Sequence, residues 1–433
     1  MDNHKPALIY NLFPLMAGPL TEWNKHLERA SEMGFNWIFV NPVHFPGFSG
    51  SIYAVKDYHR LNPLLVDRNS RLKPEEQLSQ TLKKAHELGL KVMLDLVINH
   101  TAIDSPLTEE HPEWFKHDEK GKIKNPGVWE GDKLVTIWGD LAEIDNKGSS
   151  DREALWDWWW NIAMHYLGVG FDGFRCDAAY KLPRELWLYL IPKLREYFPQ
   201  ATFFGESLGC TIDKVVMLAE TGFDYVFNSS KYWDFTQPWC LTQYEESRKH
   251  SPSVSFPESH DTPRLLEEMG GNIDAVRQRY VFAALFATGI MIPIGFEFGF
   301  RKRLHVVNTR PEDWEKTDID LRGFIARING FKLSHPIFCA EYSTYPFHLH
   351  ERKGDIAAII KLQSDKGPAA LMLINRNLEK EQRVVIDYLE ASLPGSSPVT
   401  LIDPAGSFEP ETVDGQIFDR TLPPAGLWLL MRQ

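Results

Sequence analysis

Three acidic side chains stand where strand-like runs of the sequence end. They are Asp177 in GFDGFRCD, Glu206 in ATFFGES and Asp261 in SVSFPESHD. A barrel of parallel β-strands builds its active site from residues at the carboxyl ends of its strands, so acids repeated in this way are typical of such a site. Two carboxylates that flank a glycosidic bond are the minimum needed to hydrolyse it. The spacing therefore predicts a sugar-active site that draws on three strands.

A basic residue accompanies the first of these acids. Arg175 lies two residues before Asp177, and side chains two apart in a strand point to the same side. A guanidinium beside Asp177 favours its charged form, which suits a nucleophile, whereas a structural ion pair is the alternative interpretation. Glu206, if enclosed in a dry cleft, would hold a proton more readily, which suits a general acid.

Two further polar motifs follow strand-like runs. DLVINH places Asn99 and His100 directly after a buried run, and ESHDTPR brings His260, Asp261 and Arg264 together. A histidine at the rim of a barrel can donate a hydrogen bond to a substrate hydroxyl group, and a structural histidine is the alternative. A helix cap explains an isolated Asp261, but it does not explain the pair of His260 and Asp261.

The elements that position these motifs alternate along the chain. Strand-like apolar runs are separated by helical stretches such as PEEQLSQTLKKAHELG, which is typical of parallel βα units. The three acids lie at the ends of the fourth, fifth and seventh runs. We therefore predict an α/β protein with a (β/α)8 TIM barrel. The eight predicted strand runs are 7–13, 37–43, 91–99, 171–177, 202–207, 223–229, 254–259 and 289–297.

Two segments depart from this alternation. Residues 100–149 are rich in glycine, proline and charge, which predicts a short subdomain inserted after the third strand. Residues 336–433 read as short strands joined by Gly, Pro and Asp turns, which predicts a C-terminal antiparallel β-sandwich. The catalytic barrel is then expected to comprise residues 1–99 and 150–335.

Composition excludes several classes of partner. The chain has 433 residues and a net charge of −12, so we expect no nucleic-acid partner. Its most apolar run, 281–296, is shorter than the roughly 20 residues of a membrane span, so we expect no membrane partner. The four cysteines are scattered, and the N-terminus does not resemble a signal peptide. These features predict a cytoplasmic protein.

Taken together, the motifs resemble the four signature regions of the α-amylase superfamily of glycoside hydrolases (family 13). DLVINH, GFRCDAAYK, GES and ESHD occur in the family's order and at the matching strands. GSIYAVKDYHRLNP resembles the end of the second βα loop, and GIMIPIGFEFG resembles the eighth-strand segment. The resemblance therefore spans nearly the whole chain.

The resemblance implies a role for each acid. Asp177 would be the nucleophile that forms a covalent glycosyl-enzyme, Glu206 the acid and then the base, and Asp261 the carboxylate that favours the distorted sugar ring. This retaining chemistry needs no cofactor and would cleave α-1,4 bonds of malto-oligosaccharides, starch or glycogen. The residues predicted to contact the substrate are Tyr53, His100, Arg175, Lys181, His260 and Arg264.

Three features narrow what the resemblance implies. Ala54 follows Tyr53 where exo-acting α-glucosidases of the family usually carry Asp, which argues against release of single glucose units. Lys181 stands one place later than the lysine of the common amylase pattern, so its role near the leaving group is open. A structural calcium ion is an option, and its ligands would be Asn99 and Glu143.

The leading prediction is an α-amylase-type hydrolase, but transfer uses the same intermediate. The two reactions differ in whether water or a sugar hydroxyl attacks the glycosyl-enzyme. The segments KRLHVVNTRPEDWE and ESLGCT resemble the branch with glucan maltosyltransferases that use maltose 1-phosphate, so such a transglycosylase is the alternative. A sugar isomerase and a catalytically silent amylase-like binding protein are further alternatives, since a fold alone does not prove activity.

Overall fold

Eight strands close into a barrel in the computed structural model, which describes residues 6–130, 133–349 and 354–433. Around the barrel each strand lies beside its neighbours in the sequence, and the last strand lies beside the first. Each strand falls within or overlaps one of the eight predicted runs, so the predicted barrel is confirmed. The strands are β1 (Leu8–Leu12), β2 (Trp37–Val40), β3 (Lys91–Leu96), β4 (Gly173–Cys176), β5 (Thr202–Gly205), β6 (Tyr225–Phe227), β7 (Ser253–Ser255) and β8 (Gly289–Pro293).

The strands are short, and most of them are covered on both faces. Every residue of β1, LIYNL, and of β8, GIMIP, is buried. Strands covered on both faces carry continuous apolar runs rather than an alternating pattern, which is why they were visible in the sequence. Several predicted runs extend past the end of their strand, because the residues that follow the last paired residue belong to the loops at the rim.

Helices connect the barrel strands. The long helix α3 ends where Gly170 takes a φ of 126°, a conformation that other residues rarely adopt. Within the described ranges, no helix is both long and apolar enough to cross a membrane. The longer helices are α1 (Asn24–Glu32), α2 (Pro74–Glu87), α3 (Arg152–Val169), α4 (Arg184–Arg195), α5 (Ile212–Ala219), α6 (Trp239–Ser247), α7 (Ile273–Phe286) and α8 (Arg322–Ser334).

The segment between β3 and α3 consists of short elements. His100–Ala102 pairs in antiparallel fashion with Leu141–Glu143, and Gly127–Glu130 pairs with Lys133–Ile137. A one-turn helix, Leu107–Glu110, leads into a short turn of 3₁₀ helix. This composition agrees with the segment that we predicted as an inserted subdomain.

The C-terminal region is antiparallel β structure, as the sequence predicted. Buried Leu371, Leu373 and Leu430 from the larger sheet share a core with Val384 and Phe418 from the smaller sheet. The smaller sheet pairs Gln382–Asp387 with Ile417–Leu422. In spatial order, the larger sheet comprises Ser343–Pro346, Ile356–Leu362, Ala369–Asn375, Leu427–Arg432, Thr400–Ile402 and Glu411–Thr412.

The chain divides into two compact units. One consists of Ile9–Phe227 and Leu304–Lys316, and the other consists of Met1–Leu8, Asn228–Arg303 and Thr317–Gln433. The C-terminal sheets therefore fall in the same unit as β7 and β8. The domain boundaries placed at residues 99, 149 and 335 stay a prediction.

Two buried lysines cap the end of α7 inside the second of these units. The last carbonyls of a helix have no partner within the helix and need donors from elsewhere. Lys332 donates to the carbonyls of Ala284 and Ala287 at 2.8 and 2.7 Å, and Lys361 donates to that of Phe286 at 2.7 Å. Burial lowers the pKa of Lys332 to about 7 and that of Lys361 to about 8.

Candidate active site

One guanidinium joins the predicted nucleophile to the predicted acid. Arg175, on β4, donates through Nη1 to Asp177 Oδ1 at 2.8 Å, and its Nη2 lies 3.0 Å from Glu206 Oε2. The exposed fractions of the three side chains are 5%, 14% and 17% respectively, so water has limited access to them. The structure thus brings together three of the residues that the sequence predicted.

The barrel strands explain why these side chains meet. Arg175 is the register partner of Asp95 on β3 and of Phe204 on β5, so it lies at the same level as both. The ring of Phe39, from β2, lies 5.5 Å from the guanidinium carbon, a distance at which an aromatic face attracts a cation. Asp177 follows directly after β4, which carries its carboxylate to the rim.

Asp95 anchors the guanidinium, although no role was predicted for it from the sequence. Asp95 is fully buried, and both of its oxygens accept from Nη1 of Arg175, at 2.8 and 2.9 Å. Burial raises the pKa of Asp95 to about 6, although the neighbouring Arg175 opposes this. A signal was present, because KVMLDLV has one acid inside an otherwise apolar strand. A buried charge needs a partner, and Arg175 supplies it.

Asp95 also fixes the orientation of Tyr53. The Tyr53 hydroxyl donates to Asp95 Oδ2 at 2.6 Å and accepts from Asn41 Nδ2 at 2.8 Å. Asn11 Nδ2 in turn donates to Asn41 Oδ1 at 2.8 Å. Both asparagines are fully buried, and both were missed, although each is a lone amide in an apolar strand run. The chain of hydrogen bonds holds the ring of Tyr53, which was predicted to contact the substrate, in one position.

The turn after Asp177 holds the carboxylate of Glu206. Ala178 has φ 42° and ψ 40°, the left-handed region that residues other than glycine rarely occupy. Its amide donates to Glu206 Oε2 at 2.6 Å, and the Glu206 amide donates to the carbonyl of Cys176 at 3.2 Å. Such backbone strain costs roughly 1–3 kcal/mol and persists where the surrounding structure enforces it, commonly at functional sites.

His100 and Lys181 differ in their surroundings. His100 is 9% exposed, and its Nε2 has no hydrogen-bond partner among the residues that the structure describes. Burial lowers the pKa of His100, and the charge of Asp177 only partly opposes this, which favours the neutral imidazole. Lys181 ends the turn Ala179–Lys181 and is exposed. Contact of either residue with a substrate stays a prediction.

Asp261 and His260 lie in the other compact unit, after β7. The Asp261 side chain is 51% exposed, and its Oδ2 lies 3.1 Å from Nε2 of the buried His260. Arg303 donates to the backbone carbonyl of Asp261. The adjacent pair is therefore in contact, as the motif suggested, and the part of Asp261 as a third carboxylate stays a prediction.

Arg264 is surrounded by protein acceptors. It is 1% exposed and donates to Glu258 Oε1 at 2.8 Å, to the carbonyl of Ile294 at 2.8 Å and to that of Lys302 at 3.1 Å. Glu258 is equally buried, and burial raises its pKa despite the Arg264 charge. These bonds tie the loop after β7 to the end of β8, which favours a structural role over the predicted contact with substrate.

The two residues suggested as calcium ligands do not form a suitable site. Asn99 Oδ1 is buried and has no hydrogen-bond partner among the described residues, which would suit a metal ligand. However, Glu143 Oε1 lies 2.6 Å from Nζ of Lys116. Calcium takes roughly six to eight oxygen ligands, and an ammonium group at this distance both compensates the carboxylate and repels the cation. We therefore do not place calcium at Asn99 and Glu143.

Comparison with known proteins gives matches over most of the chain. Residues 8–118 match the family model described as the glucanotransferase domain of glycogen debranching enzyme. The α-1,4-glucan:maltose-1-phosphate maltosyltransferase of Burkholderia pseudomallei is 25% identical over 345 residues, which are 77% of this chain and 30% of that protein. Alpha-amylase 2 of Dictyoglomus thermophilum is 23% identical over 353 residues, which are 75% of this chain and 59% of that protein. The chain thus spans less than two thirds of the length of these relatives.

A solved structure resembles the whole chain. An α-amylase from Lactobacillus plantarum has a TM-score of 0.76 and 22% sequence identity, and the match covers 99% of both chains. This likeness supports the barrel with its C-terminal β module. The order of the signature motifs on the barrel strands and the matches to these relatives agree with the resemblance to the α-amylase superfamily of glycoside hydrolases.

Proposed function

We propose that the chain is a retaining α-glucan-active enzyme, with Asp177 as nucleophile and Glu206 as general acid and base. The observation that carries this proposal is the Arg175 guanidinium, which contacts both carboxylates at 2.8 and 3.0 Å. Retaining enzymes need two carboxyl groups about 5–5.5 Å apart on either side of the scissile bond. A rigid, shared guanidinium is well suited to hold two carboxylates at a fixed separation.

The contacts of the two acids suit different tasks. Arg175 faces the carboxylate of Asp177 and stabilises the negative charge that a nucleophile needs. Glu206 receives two donors at Oε2, from Ala178 and from Arg175. Glu206 would pass its proton to the leaving-group oxygen and later remove a proton from the acceptor.

The residues around these acids would recognise the reacting sugar. Tyr53 would provide the flat face on which the ring packs, because its hydroxyl is held by Asp95 and Asn41. His100, buried and neutral, would form a hydrogen bond with a sugar hydroxyl. We propose Asp261 as the third carboxylate because it follows a barrel strand and His260 orients it at 3.1 Å.

Transfer is favoured over hydrolysis, which was the leading prediction from the sequence. The relative from Burkholderia pseudomallei, and others of similar identity, carry the name α-1,4-glucan:maltose-1-phosphate maltosyltransferase. We therefore propose maltose 1-phosphate as the donor. Asp177 would attack the anomeric carbon, and phosphate would leave with the bonding electrons and the proton of Glu206. The 4-hydroxyl of a glucan would then displace Asp177 while the Glu206 carboxylate takes the hydroxyl proton.

Hydrolysis is the second candidate, because Alpha-amylase 2 of Dictyoglomus thermophilum is also among the relatives. One experiment separates the two. The enzyme is incubated with maltose 1-phosphate and glycogen, and in parallel with soluble starch, while free phosphate and new reducing ends are measured.

Release of phosphate with lengthening of the glycogen chains supports transfer. New reducing ends in the starch reaction, with no phosphate released in the maltose 1-phosphate reaction, support hydrolysis. The Asp177→Asn variant is the control and should be inactive in both reactions. Unchanged turnover in this variant would refute the assignment of the nucleophile.

A further inference from the structure

Three possible metal ligands meet outside the catalytic cluster. An imidazole nitrogen of His111 and carboxylate oxygens of Glu113 and Asp151 all lie within 4.8 Å of one another. We propose that these residues bind a first-row divalent cation of the Zn²⁺ type. The ion would join the segment that follows β3 to the start of α3, and it would stabilise the fold rather than take part in glycosyl transfer.

The unusual position of Asp151 supports this proposal. Asp151 occupies the N-cap position of α3, where an aspartate normally accepts hydrogen bonds from the first backbone amides of the helix. Its side chain forms no such bond here, and its backbone has φ −115° and ψ 43°. The carboxylate is directed instead at Trp114, whose Nε1 donates to Asp151 Oδ2 at 3.2 Å. Asp151 is therefore of a residue type that usually caps helices, but its carboxylate accepts from Trp114 instead.

Trp114 orients two of the three ligands at once. Its indole ring stacks on the His111 ring, with 3.8 Å between centroids and 6° between planes. The same residue donates its N–H to Asp151, and it is itself 3% exposed, so its position is fixed by packing. Metal sites commonly depend on such surrounding groups, which hold the ligands in the orientation that binds the ion.

The donor set indicates which cation fits. One imidazole nitrogen and two carboxylates leave a position for water and match the tetrahedral preference of Zn²⁺, whereas calcium requires more oxygen ligands. His111 Nδ1 lies 3.3 Å from Glu113 Oε1, and their side chains are 40% and 34% exposed, so an ion can enter from solvent. Two carboxylates against one imidazole give the site a net negative charge, which a divalent cation offsets.

Zinc titration of the full-length chain tests the proposal. The protein is stripped with a chelator and dialysed, and ZnCl₂ is added in an isothermal titration calorimeter. We expect one zinc ion per chain, and a rise in Tm on binding because the ion binds only the folded state. Co²⁺ at the same site should give the visible absorption of a nitrogen- and oxygen-liganded ion.

Variants then assign the site. His111→Ala and Asp151→Asn should each weaken zinc binding at least about tenfold, and Trp114→Phe should weaken it roughly 10–100-fold by removing the N–H that orients Asp151. His86→Ala is the matched control, since His86 lies 2.9 Å from a single carboxylate, that of Asp172, and should bind zinc as the wild type does.

Two results would overturn the proposal. One is the absence of zinc binding to the stripped wild-type chain at micromolar concentration. The other is unchanged zinc affinity in His111→Ala and Asp151→Asn. Glu113→Gln, a change on a partly exposed side chain, supplies the same test if the Asp151 variant does not fold by circular dichroism.

Discussion

Replacing Asp95 with asparagine should weaken both the fold and the catalytic site. Asp95 is fully buried, and it binds Arg175 through two contacts at 2.8 and 2.9 Å and Tyr53 through one at 2.6 Å. Removing one partner of a buried ion pair costs about 3–5 kcal/mol, because the other charge is left in a medium that solvates it poorly. Arg175 keeps two further carboxylates, so we expect a loss near 3 kcal/mol.

The same change should reduce catalysis by displacing the guanidinium. Without Asp95, the strongest remaining attractions on Arg175 come from Asp177 and Glu206, and the guanidinium should shift toward them. A misplacement of about 1 Å at a reacting group costs roughly 100-fold in rate, which equals about 2.7 kcal/mol of transition-state stabilisation. The KM should change less than kcat, because Asn41 still holds the Tyr53 hydroxyl and the amide oxygen of an asparagine at position 95 can accept from it.

Urea unfolding and steady-state kinetics on the preferred glucan measure the two effects. Tyr280→Phe is the control, because it removes a different buried hydrogen bond, the 2.7 Å contact of the hydroxyl with Asn329, which involves none of the proposed acids. It should lose about 1 kcal/mol of stability with kcat unchanged. An Asp95→Asn enzyme with wild-type kcat would refute the view that Asp95 positions Arg175, whatever its stability.

Three further predictions concern the acid, a buried lysine and calcium. Glu206→Gln should lower kcat about 10²–10⁴-fold on ordinary glucans but much less on a glycosyl fluoride, whose leaving group needs no proton; equal losses on both would contradict its role as acid. The pKa of Lys332 is about 7 when folded, below its usual value of 10.5, so the unfolded state binds more protons between these values. The free energy of unfolding of the wild type, relative to Lys332→Met, should therefore rise with pH from about 7 to 10, and parallel urea-unfolding profiles for the two proteins would exclude this. Millimolar calcium should leave the Tm of the protein unchanged, because Lys116 already pairs with Glu143. A rise in Tm that the Glu143→Gln variant no longer shows would mean that calcium displaces the lysine.

Much of the barrel was predictable because its strands are continuous apolar runs. Runs such as 91–99 were placed correctly but extended too far, since β3 ends at Leu96 and apolar residues continue into the rim. Pattern alone does not show where the pairing with a neighbouring strand stops.

The candidate site was predictable where its members are close in sequence or stand at the carboxyl ends of barrel strands. Arg175 and Asp177 lie two residues apart on one strand, so their contact follows from strand geometry. Asp95 meets Arg175 through the register of two strands, and Asn41 meets Tyr53 through the path of a loop. Neither contact can be predicted from the sequence of one segment alone. The exposure of a side chain such as Arg264 likewise depends on what packs over it.

The lysine caps of α7 have a consequence for how the chain is made. The carbonyl of Phe286 obtains its donor from Lys361, which is 75 residues further along, and that of Ala287 obtains its donor from Lys332, 45 residues further along. During translation, α7 and β8 emerge from the ribosome well before Lys332 or Lys361. A gene truncated ahead of codon 361 would therefore yield a chain whose helix end lacks this cap, so the C-terminal module is better treated as part of the folding unit than as an appendage to be trimmed.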